Sequence, residues 1–547
     1  MTSRAMQTAI GLLLIWSLSP IPPALSKTSP PPAMQVSEVR GSGQPLARRW
    51  VDLDGDGKLD LLVVSGTAST APPGEEARIE TLIAYLNVTP FFLDKRQVLL
   101  YRQTKEGFEP WGEPLPLTGD TAAVDVADLD GDGRPEIIYA AGYRLFAFTR
   151  KEAEAAYSTT PRILGDAGML LGYARAFVPG ARLVAELVKG APPALLLSTS
   201  AGLEIRRAAP EGTLARAPDL VLRSGFRTIE KTGNLLRLQE PRPSAVDADA
   251  DGTLDLVYRG IDDLLLYRGE GEGRFAREPL RAPLFAHGPR PGGRQKISVK
   301  TTVTDVDGDG RLDLVRIIRT TQAEEDDEQD ERGEKKQEHE EKKKEKKGPV
   351  AKVEILRGRP GFTFPDDPDV AFDVPRTEKH EGAEVSPEKI DADGRADLVV
   401  TRFAVSMWQI ARFLMTKKIS VQVSFETMLQ RTDGTFAPPK GKPFETKLTI
   451  DLKRGFGSIP TRPQGDFNGD GITDLPEFTD APELRVHATT SDGVFPAEPA
   501  FTVRLPRAPE DRSLVDILDL DGDGRADVAY FNLEGAGFVA TVARSGR

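Results

Sequence analysis

The sequence contains no cysteine and only four histidines among 547 residues. The absence of cysteine excludes disulfide scaffolds, cysteine-ligated zinc, thiol catalysis and lipid attachment through a cysteine. HExxH, GxSxG, P-loop and dinucleotide-binding motifs are missing as well. We therefore expect no catalytic residues and no organic-cofactor site, although carboxylates that are distant in sequence leave a hydrolase or lyase open.

The N-terminus carries an apolar run that is too short to span a membrane. It covers residues 9–18 after the positive charge of Arg4, and a small-x-small pattern ends at Ser26. This arrangement is typical of a secretory signal peptide, whereas a membrane span needs about 20 apolar residues. We predict a signal peptide at 1–26, a linker at 27–34, and a secreted or periplasmic mature chain without a transmembrane segment.

Positive charge is in the minority. The chain has 72 Lys and Arg against 84 Asp and Glu, which gives a formal net charge of −12. An acidic excess of this size argues against a nucleic-acid-binding surface. It needs a local explanation, which a repeated acidic motif supplies.

One nine-residue phrase, Asp-x-Asp-x-Asp-Gly-x-x-Asp, recurs along the whole mature sequence. It occurs intact six times, starting at Asp52, Asp128, Asp247, Asp305, Asp466 and Asp519, with Glu136 and Asn468 as conservative replacements. A seventh copy has Lys389 at its first position, and an eighth, from Glu186, is recognisable only by the apolar run that follows it. We call these nine-residue segments the acidic loops and number their positions from 1 to 9.

The acidic loops have the composition of calcium sites. Carboxylates at alternate positions converge when glycine permits a tight turn, and Ca²⁺ takes six to eight oxygen ligands. Without a cation the clustered carboxylates would repel one another and raise one another's pKa values. We predict about six Ca²⁺ sites, with side-chain ligands at positions 1, 3, 5 and 9 and a backbone carbonyl at position 7. The predicted ligands are Asp52, Asp54, Asp56, Lys58, Asp60; Asp128, Asp130, Asp132, Arg134, Glu136; Asp247, Asp249, Asp251, Thr253, Asp255; Asp305, Asp307, Asp309, Arg311, Asp313; Asp466, Asn468, Asp470, Ile472, Asp474; and Asp519, Asp521, Asp523, Arg525, Asp527.

Two features distinguish the acidic loops from EF-hands. An EF-hand needs a bidentate Glu at position 12, and only one of the six intact copies has it, at Glu477. Each loop is followed by a short β-branched or aromatic run such as LDLLVV, which predicts a strand and not a helix. Further along each unit a Gly-Phe or Gly-x-Phe turn recurs, as at Gly107 and Gly273. The repeating unit is therefore predicted to be a meander of about four antiparallel strands, with the acidic loop in the first turn and Gly-x-Phe in the third.

On these motifs the chain resembles the FG-GAP or VCBS repeat family, which builds the β-propeller of integrin α-chain heads and of many exported bacterial proteins. The resemblance covers nearly all of residues 35–547 and implies an all-β propeller with calcium in the loops between first and second strands. The loops at Lys389 and Glu186 depart from the pattern, which leaves metal binding there open. The resemblance implies a fold and a metal but no single biochemical function.

The spacing of the loops predicts about eight blades. The common separation is 58 residues, and the 84-residue gap after Asp305 returns to 58 when the charged, low-complexity segment 322–347 is removed as an insertion. Seven blades remain the alternative if the Glu186 unit is not a blade. The chain after Asp527 has room for two strands, so we expect residues 34–39 to supply the missing strand and close the ring.

Length differences within the blades predict a binding face. From position 9 to the next Gly-x-Phe phenylalanine takes 20 or 21 residues in the units of Asp247 and Asp466, but 48, 51 and 39 in those of Asp52, Asp305 and Lys389. The extra residues lie between second and third strands, opposite the acidic loops, which in integrin-like propellers is the ligand face. The amphipathic stretch 407–418 is either a binding element or a helix that covers the core, and 322–347 is either a solvated excursion or a charged interaction arm.

We therefore expect a monomeric, exported calcium-binding propeller that acts as a binding or adhesion module for an extracellular protein or polysaccharide. A propeller-fold hydrolase or lyase with its site on the long loops, and a structural scaffold without a small-molecule ligand, are the alternatives.

Overall fold

The computed structural model describes most of the mature chain. It covers residues 34–545 except 69–93, 153–154, 168–177, 179–181, 189, 200, 209–211, 216, 223–227, 233–234, 240–242, 260–262, 285–294, 323–348, 376, 378–381, 405–412, 414–415, 417, 452–461, 480 and 511–513. The predicted signal peptide 1–26 lies outside the described residues, as do the linker 27–34 except Met34 and the charged insertion 322–347 except Gln322.

The described chain forms eight antiparallel blades, each a meander of neighbouring strands. Middle strands such as residues 136–141 are buried along their whole length. A blade that is packed between two other blades must be apolar on both faces, which explains why these strands read as continuous apolar runs and not as alternating patterns. The prediction of an all-β propeller with about eight blades is confirmed.

The first four blades begin at the loops of Asp52, Asp128, Glu186 and Asp247. Their strands are, in blade 1, β2 (Gln44–Val51), β3 (Asp60–Ala68), β4 (Asp94–Gln103), β5 (Phe108–Pro110) and β6 (Leu115–Leu117); in blade 2, β7 (Thr121–Ala127), β8 (Glu136–Ala141), β9 (Arg144–Phe148) and β10 (Arg162–Asp166); in blade 3, β11 (Val184–Ala185), β12 (Ala194–Thr199), β13 (Gly202–Arg207) and β14 (Leu220–Leu222); and in blade 4, β17 (Ser244–Val246), β18 (Asp255–Arg259), β19 (Asp263–Tyr267) and β22 (Leu280–Pro283). Two hairpins stand beside them, β15 (Thr228–Thr232) with β16 (Leu235–Gln239) and β20 (Gly269–Gly271) with β21 (Arg274–Phe275). The Glu186 unit is thus a blade, which decides for eight blades against seven.

The other four blades belong to the loops of Asp305, Lys389, Asp466 and Asp519. Their strands are, in blade 5, β23 (Gln295–Thr304), β24 (Asp313–Gln322), β25 (Ala351–Leu356) and β26 (Val370–Val374); in blade 6, β27 (Gly382–Glu388), β28 (Asp397–Ala404), β29 (Lys418–Met428) and β30 (Phe444–Asp451); in blade 7, β31 (Leu475–Phe478), β32 (Glu483–His487) and β33 (Phe501–Arg504); and in blade 8, β34 (Val515–Leu518), β35 (Asp527–Glu534) and β36 (Gly537–Arg544). In blade 7 the place of a first strand is taken by a segment without regular secondary structure, whose Gln464 N–H donates to the Asp474 carbonyl at 2.9 Å and whose Gly465 carbonyl accepts the Asp474 N–H at 2.8 Å.

The N-terminal strand closes the ring. Strand β1 (Gln35–Ser42) pairs antiparallel with β36 over its whole length, from Gln35 opposite Arg544 to Ser42 opposite Gly537. Blade 8 therefore combines three C-terminal strands with one N-terminal strand, as predicted from the missing strand. Strand β1 takes the place of the fourth strand of blade 8 and pairs the otherwise free edge of β36.

Eight apolar clusters of described residues lie between the blades. Each cluster joins two consecutive blades, and one of them joins blade 8 to blade 1 through side chains such as Val39, Leu61 and Phe538. The core of this protein is thus a ring of interfaces, so each blade depends on both neighbours for its burial. Among the described residues no helix is long and apolar enough to cross a membrane.

The strand order places the loops between first and second strands on one face of the propeller and the loops between second and third strands on the opposite face. Acidic loops join first to second strands, and the long segments 69–93, 323–350 and 405–417 join second to third strands in blades 1, 5 and 6. The Gly-x-Phe turns come between third and fourth strands, with positive φ at Gly107, Gly273, Gly361, Gly434 and Gly493. The phenylalanines that follow, Phe108, Phe275, Phe362 and Phe495, are buried, and Phe436 packs against the core between blades 5 and 6. The predicted order of turns within a blade is confirmed.

Candidate metal centres

Each acidic loop is wound by its own carboxylates, as the loop of blade 1 illustrates. The two oxygens of Asp52 accept the N–H groups of Gly55 at 2.7 Å and Gly57 at 2.9 Å. The winding requires left-handed backbone at both glycines, with φ of 84° and 82°, which an L side chain rarely adopts. At the next turns Asp54 accepts the N–H of Asp56 at 3.1 Å and Asp56 accepts that of Lys58 at 2.9 Å. The motif therefore encodes a fold in which side-chain oxygens and backbone amides meet at one point.

The same bonds recur in the other intact loops. Position 1 accepts the position 6 N–H at 2.7–3.1 Å in each of them. Position 5 accepts the position 7 N–H at 2.8–2.9 Å. One departure is Ala250, which holds position 4 of the blade 4 loop at φ 60°, where other loops have glycine. All thirty predicted ligand residues lie within the described chain.

Position 9 differs from the others because it is a buried staple. Asp255, Asp474 and Asp527 are 0% exposed, and one oxygen of each accepts the position 2 N–H of its own loop at 2.9–3.0 Å. The second oxygen accepts a backbone N–H from one or two residues beyond the end of the third strand of the blade: Gly269, Thr489 or Ser545, at 2.6–2.9 Å. A carboxylate at position 9 thus ties the first turn of a blade to the chain segment that enters the third turn.

Five of the six intact loops bring three carboxylate oxygens within 4.8 Å of one another. In blades 1, 2, 5 and 8 they come from positions 1, 3 and 9, and in blade 4 from positions 1, 3 and 5. In the blade 7 loop the amide of Asn468 stands at position 3 and donates to Asp470 at 3.0 Å. Clustered, oxygen-only donor sets of this kind suit a hard cation such as Ca²⁺.

Burial raises the pKa values of the stapling carboxylates. Desolvation raises the pKa of Asp60 and Asp313 to about 6 and that of Asp474 and Asp527 to about 7, although backbone hydrogen bonds oppose the shift. The pKa of Glu136 is raised to about 7 for the same reason. Ionised carboxylates are therefore costly in these loops unless a positive charge offsets their desolvation.

An orphaned oxygen in blade 4 fits a bound cation. Asp249 is buried, and its Oδ1 has no hydrogen-bond partner. Its other oxygen lies 3.7 Å from the guanidinium of Arg268. A buried carboxylate oxygen without a donor is expensive, and a metal ion at the Asp247–Asp249–Asp251 cluster would satisfy it. The residues present therefore fit Ca²⁺.

The ion pairs between positive side chains and the acidic loops were not predicted from the sequence. Arg102, Arg268 and Arg357, each near the end of a third strand, approach position 3 or 5 carboxylates of the loops in their own blades. At position 7 of the loops, Lys58 pairs with Asp56 at 2.6 Å, and Arg134 and Arg311 pair with the position 5 aspartates of their loops. A recurring arginine after the third strand, as in LYRQ and LYRG, was the available signal. These cations offset part of the loop charge.

The two departing loops lose different parts of the motif. In blade 3 Glu186 still accepts the Gly190 N–H at 2.6 Å, but position 9 is Ala194. In blade 6 Lys389 replaces the first aspartate, whereas Asp397 keeps the position 9 bonds to the N–H groups of Ile390 at 3.2 Å and Gln430 at 2.8 Å. The staple is therefore retained in a loop that has lost a ligand position.

Little of the predicted ligand face lies within the described residues. Of the stretch 407–418, Phe413 is helical and buried in the core between blades 6 and 7, which agrees with a segment that covers the core.

A cleft of about 370 Å³ lies between β30 and β31 and is lined in part by Glu445 and Glu477. Glu477 Oε1 accepts the Thr446 hydroxyl at 2.5 Å and Oε2 lies 3.5 Å from the buried imidazole of His487. His487 lowers the pKa of Glu477, which suits an ionised group that joins two blades more than a general acid.

Comparisons with known proteins agree with the repeat structure. The family model described as FG-GAP-like repeat matches residues 88–139 and 247–316. A search of the curated proteins gave no significant match.

Several solved structures match most of this chain at low sequence identity. An Agrocybe aegerita lectin that recognises non-reducing terminal N-acetylglucosamine is 16% identical, with 74% of this chain and 91% of that chain covered and a TM-score of 0.37. The V. cholerae biofilm matrix protein Bap1 is 11% identical, with 97% and 90% covered and a TM-score of 0.33. The WD40 domain of Toxoplasma gondii coronin is 10% identical, with 95% and 90% covered and a TM-score of 0.32. With its repeated acidic loops and its closed ring of eight blades, the chain is a β-propeller that carries FG-GAP-like repeats.

Proposed function

We propose that this protein is an exported, calcium-stabilised propeller that serves as a binding module for an extracellular protein or polysaccharide. The observation that carries the proposal is the convergence of carboxylates in five acidic loops on one face of the closed propeller. An array of cation sites on one face stiffens the propeller. The opposite face is then free to present variable loops to a partner.

The predicted ligands at positions 1, 3 and 5 and the position 7 carbonyl would hold the metal, and position 9 would be shared between metal and staple. A carboxylate oxygen has two lone pairs, so its bond to a backbone N–H leaves room for a cation. Bound Ca²⁺ would supply the positive charge that the desolvated carboxylates lack. Six Ca²⁺ ions would also bring the formal charge of −12 close to zero, so the acidic excess belongs to the metal sites and not to the partner.

Calcium removal tests the metal proposal directly. Extracellular calcium modules bind at about 10⁻⁴–10⁻³ M, so millimolar Ca²⁺ stabilises the native state and excess chelator lowers the unfolding temperature. Asp305→Ala should reproduce part of that loss in calcium. Asp433→Ala is the matched control, because Asp433 lies on an exposed turn outside the acidic loops. An unchanged melt in excess chelator contradicts the proposal.

The candidate partner surface is the face of the propeller that carries the loops between second and third strands. The connections in this position are long in blades 1, 5 and 6, where the segments 69–93, 323–350 and 405–417 leave and re-enter the described strands. Blades 2 and 8 make the same connection within a few residues, between β8 and β9 and between β35 and β36. Loops that differ in length on an otherwise repetitive ring are where a propeller gains specificity.

Glycan-array and pull-down screens with and without calcium test the binding role. Replacing 69–93 by the short β8–β9 turn sequence should abolish partner capture while leaving the melting temperature unchanged. The control is a conservative change in the blade 2 turn itself, which should leave capture intact. No ligand under either condition contradicts a binding module and favours a structural scaffold.

Export has its own test. The proposal predicts that the full chain, expressed in a bacterium, appears outside the cytoplasm with a new N-terminus near Ser26. Retention of residues 1–26 on cytoplasmic protein contradicts it.

A further inference from the structure

Consecutive acidic loops are bonded to one another. In five of the eight blade junctions the position 8 N–H of one loop donates to a backbone carbonyl at position 1 or 2 of the preceding loop, at 2.7–3.0 Å. The bonds are Leu59 to Leu520, Leu312 to Ala248, Ala396 to Val306, Thr473 to Ile390 and Ala526 to Asp466. They connect the loops of blades 4, 5, 6, 7, 8 and 1 into a continuous series that crosses the closure of the ring.

These bonds start and end next to the stapling carboxylates. Asp313 in blade 5 accepts the Val306 N–H at 2.7 Å, and the Val306 carbonyl accepts the N–H of Ala396 in blade 6 at 2.8 Å. Ala396 is the residue before Asp397, which is the staple of blade 6 and accepts the Ile390 N–H at 3.2 Å. Two hydrogen bonds, with Val306 between them, therefore connect the stapling carboxylate of blade 5 to the residue that precedes the stapling carboxylate of blade 6.

The blade 6 loop continues the series although its first ligand is missing. Its position 2 carbonyl, at Ile390, accepts the N–H of Thr473 in blade 7 at 2.8 Å, and the Thr473 hydroxyl donates to the Lys389 carbonyl at 2.6 Å. Thr473 precedes Asp474, the staple of blade 7. The Lys389 loop thus links blades 5 and 7 without needing a metal of its own.

The series is interrupted at blade 2 by proline. Position 8 of that loop is Pro135, which has no N–H, so it cannot bond the Leu53 carbonyl of blade 1. The guanidinium of the buried Arg150 donates to that carbonyl instead and lies over the rings of Trp111 and Tyr157, at 5.2 and 5.5 Å. Position 8 of the blade 3 loop is also proline, so the Asp128 loop has no such backbone bond on either side.

We propose that the acidic loops of blades 4, 5, 7, 8 and 1 bind calcium as one coupled series, transmitted through the Lys389 loop, and that the Asp128 loop binds independently. The inference rests on the proposed calcium binding. A metal that orders one staple also orders the amide that bonds it, and hence the entry to the neighbouring loop. The neighbour then loses less conformational entropy when its own metal binds, which is positive cooperativity.

Hydrogen exchange followed by mass spectrometry along a calcium titration tests the coupling loop by loop. In the unaltered protein, peptides over 247–255, 305–313, 466–474, 519–527 and 52–60 should gain protection together, while 128–136 follows its own curve. In Asp305→Ala, the calcium midpoint of 247–255 should rise at least about fivefold, within the usual range of allosteric coupling, and that of 128–136 should not move.

Leu312→Pro cuts the bond between blades 4 and 5 without touching a ligand side chain. Pro135 shows that the fold accepts proline at position 8, and Leu312→Ala keeps the N–H as the matched control. The proline variant should raise the 247–255 midpoint and the alanine variant should not. If Leu312→Pro fails to fold, the comparison of Asp305→Ala with the unaltered protein still decides the matter.

The outcomes separate the two proposals. Protection of every loop by calcium with midpoints that ignore Asp305→Ala overturns the coupling and leaves the calcium sites intact. A shift at 128–136 as large as that at 247–255 also overturns it, because the proline interruption would then have no effect. No protection in any loop overturns calcium binding and the coupling together.

Discussion

Asp397→Asn in the Lys389 loop isolates the stapling role of position 9 from metal binding. Asp397 is 0% exposed and accepts N–H groups from Ile390 at 3.2 Å, Asp391 at 3.3 Å and Gln430 at 2.8 Å. An asparagine can offer one oxygen to these donors, but its NH₂ group must face the N–H groups on the other side. The substitution therefore leaves at least one buried N–H without an acceptor.

The size of the effect follows from these contacts. An unsatisfied buried N–H costs about 1–3 kcal/mol, and a bond that loses its charged acceptor weakens by about 1 kcal/mol. We expect a loss of about 3 kcal/mol in the local opening free energy, which speeds exchange of the Ile390 and Gln430 amides by about 10²-fold. The loss is compared in chelator, so that metal in the neighbouring loops of blades 5 and 7 does not contribute to it.

Asp313→Asn is the matched variant in an intact loop. Asp313 accepts the N–H groups of Val306 and Gly358, both at 2.7 Å, so its loss in chelator should equal that of Asp397→Asn. In about 1 mM Ca²⁺, with a dissociation constant of about 10⁻⁴ M, the loss should grow by about 1.4 kcal/mol because a ligand disappears as well. A cost below about 1 kcal/mol for Asp397→Asn in chelator refutes the assignment of position 9 as a staple.

Three further results are expected. Removing residues 27–42, or changing the buried Val39 to Asp, should lower the unfolding temperature, because β1 completes blade 8; an unchanged melt contradicts closure by this strand. In chelator the protein should become less stable as pH rises from about 5 to 7.5, since burial raises the pKa of Asp474 and Asp527 from 3.8 to about 7 and their protonated forms favour the folded state below that pH. Urea midpoints at the two pH values measure this, and a higher midpoint at pH 7.5 contradicts it. Arg150→Met should lower the free energy of unfolding by about 2–4 kcal/mol, because the Leu53 carbonyl loses its donor and two ring contacts disappear; a midpoint equal to that of the unaltered protein contradicts it.

Features that repeat at fixed spacing could be predicted from the sequence. The acidic loops, the apolar strands after them and the Gly-x-Phe turns all depend on residues a few positions apart, so local backbone requirements identify them. The closure by β1 followed from counting strands, because only two strands fit after the last acidic loop and a four-stranded blade needs three there. Eight blades followed from the 58-residue spacing once 322–347 was set aside.

Features that depend on contacts between distant residues could not be predicted. The bond from the Gln103 N–H to Asp60 joins residues 43 positions apart, and that from the Gln103 side chain to the Leu520 carbonyl spans 417 positions. Nothing in the nine-residue phrase indicates that its last carboxylate is buried and doubly bonded. The role of Arg150 could not be predicted for the same reason. Its guanidinium takes the place of the backbone N–H that Pro135 lacks, and Arg150 lies outside the acidic loop that contains Pro135.

The two departing loops show which parts of the motif the ring needs and which it can lose. Blade 6 has lost position 1 but keeps Asp397, and it remains bonded to blades 5 and 7 through Ala396 and Ile390. Blade 3 has lost position 9, where Ala194 stands, and it has proline at position 8. It is nevertheless held by apolar clusters on both faces, which involve side chains such as Leu195 and Leu196. Apolar packing thus keeps blade 3 in the ring without a staple, whereas the staple and the bonds between loops are retained in blade 6, which lies between two blades with intact acidic loops.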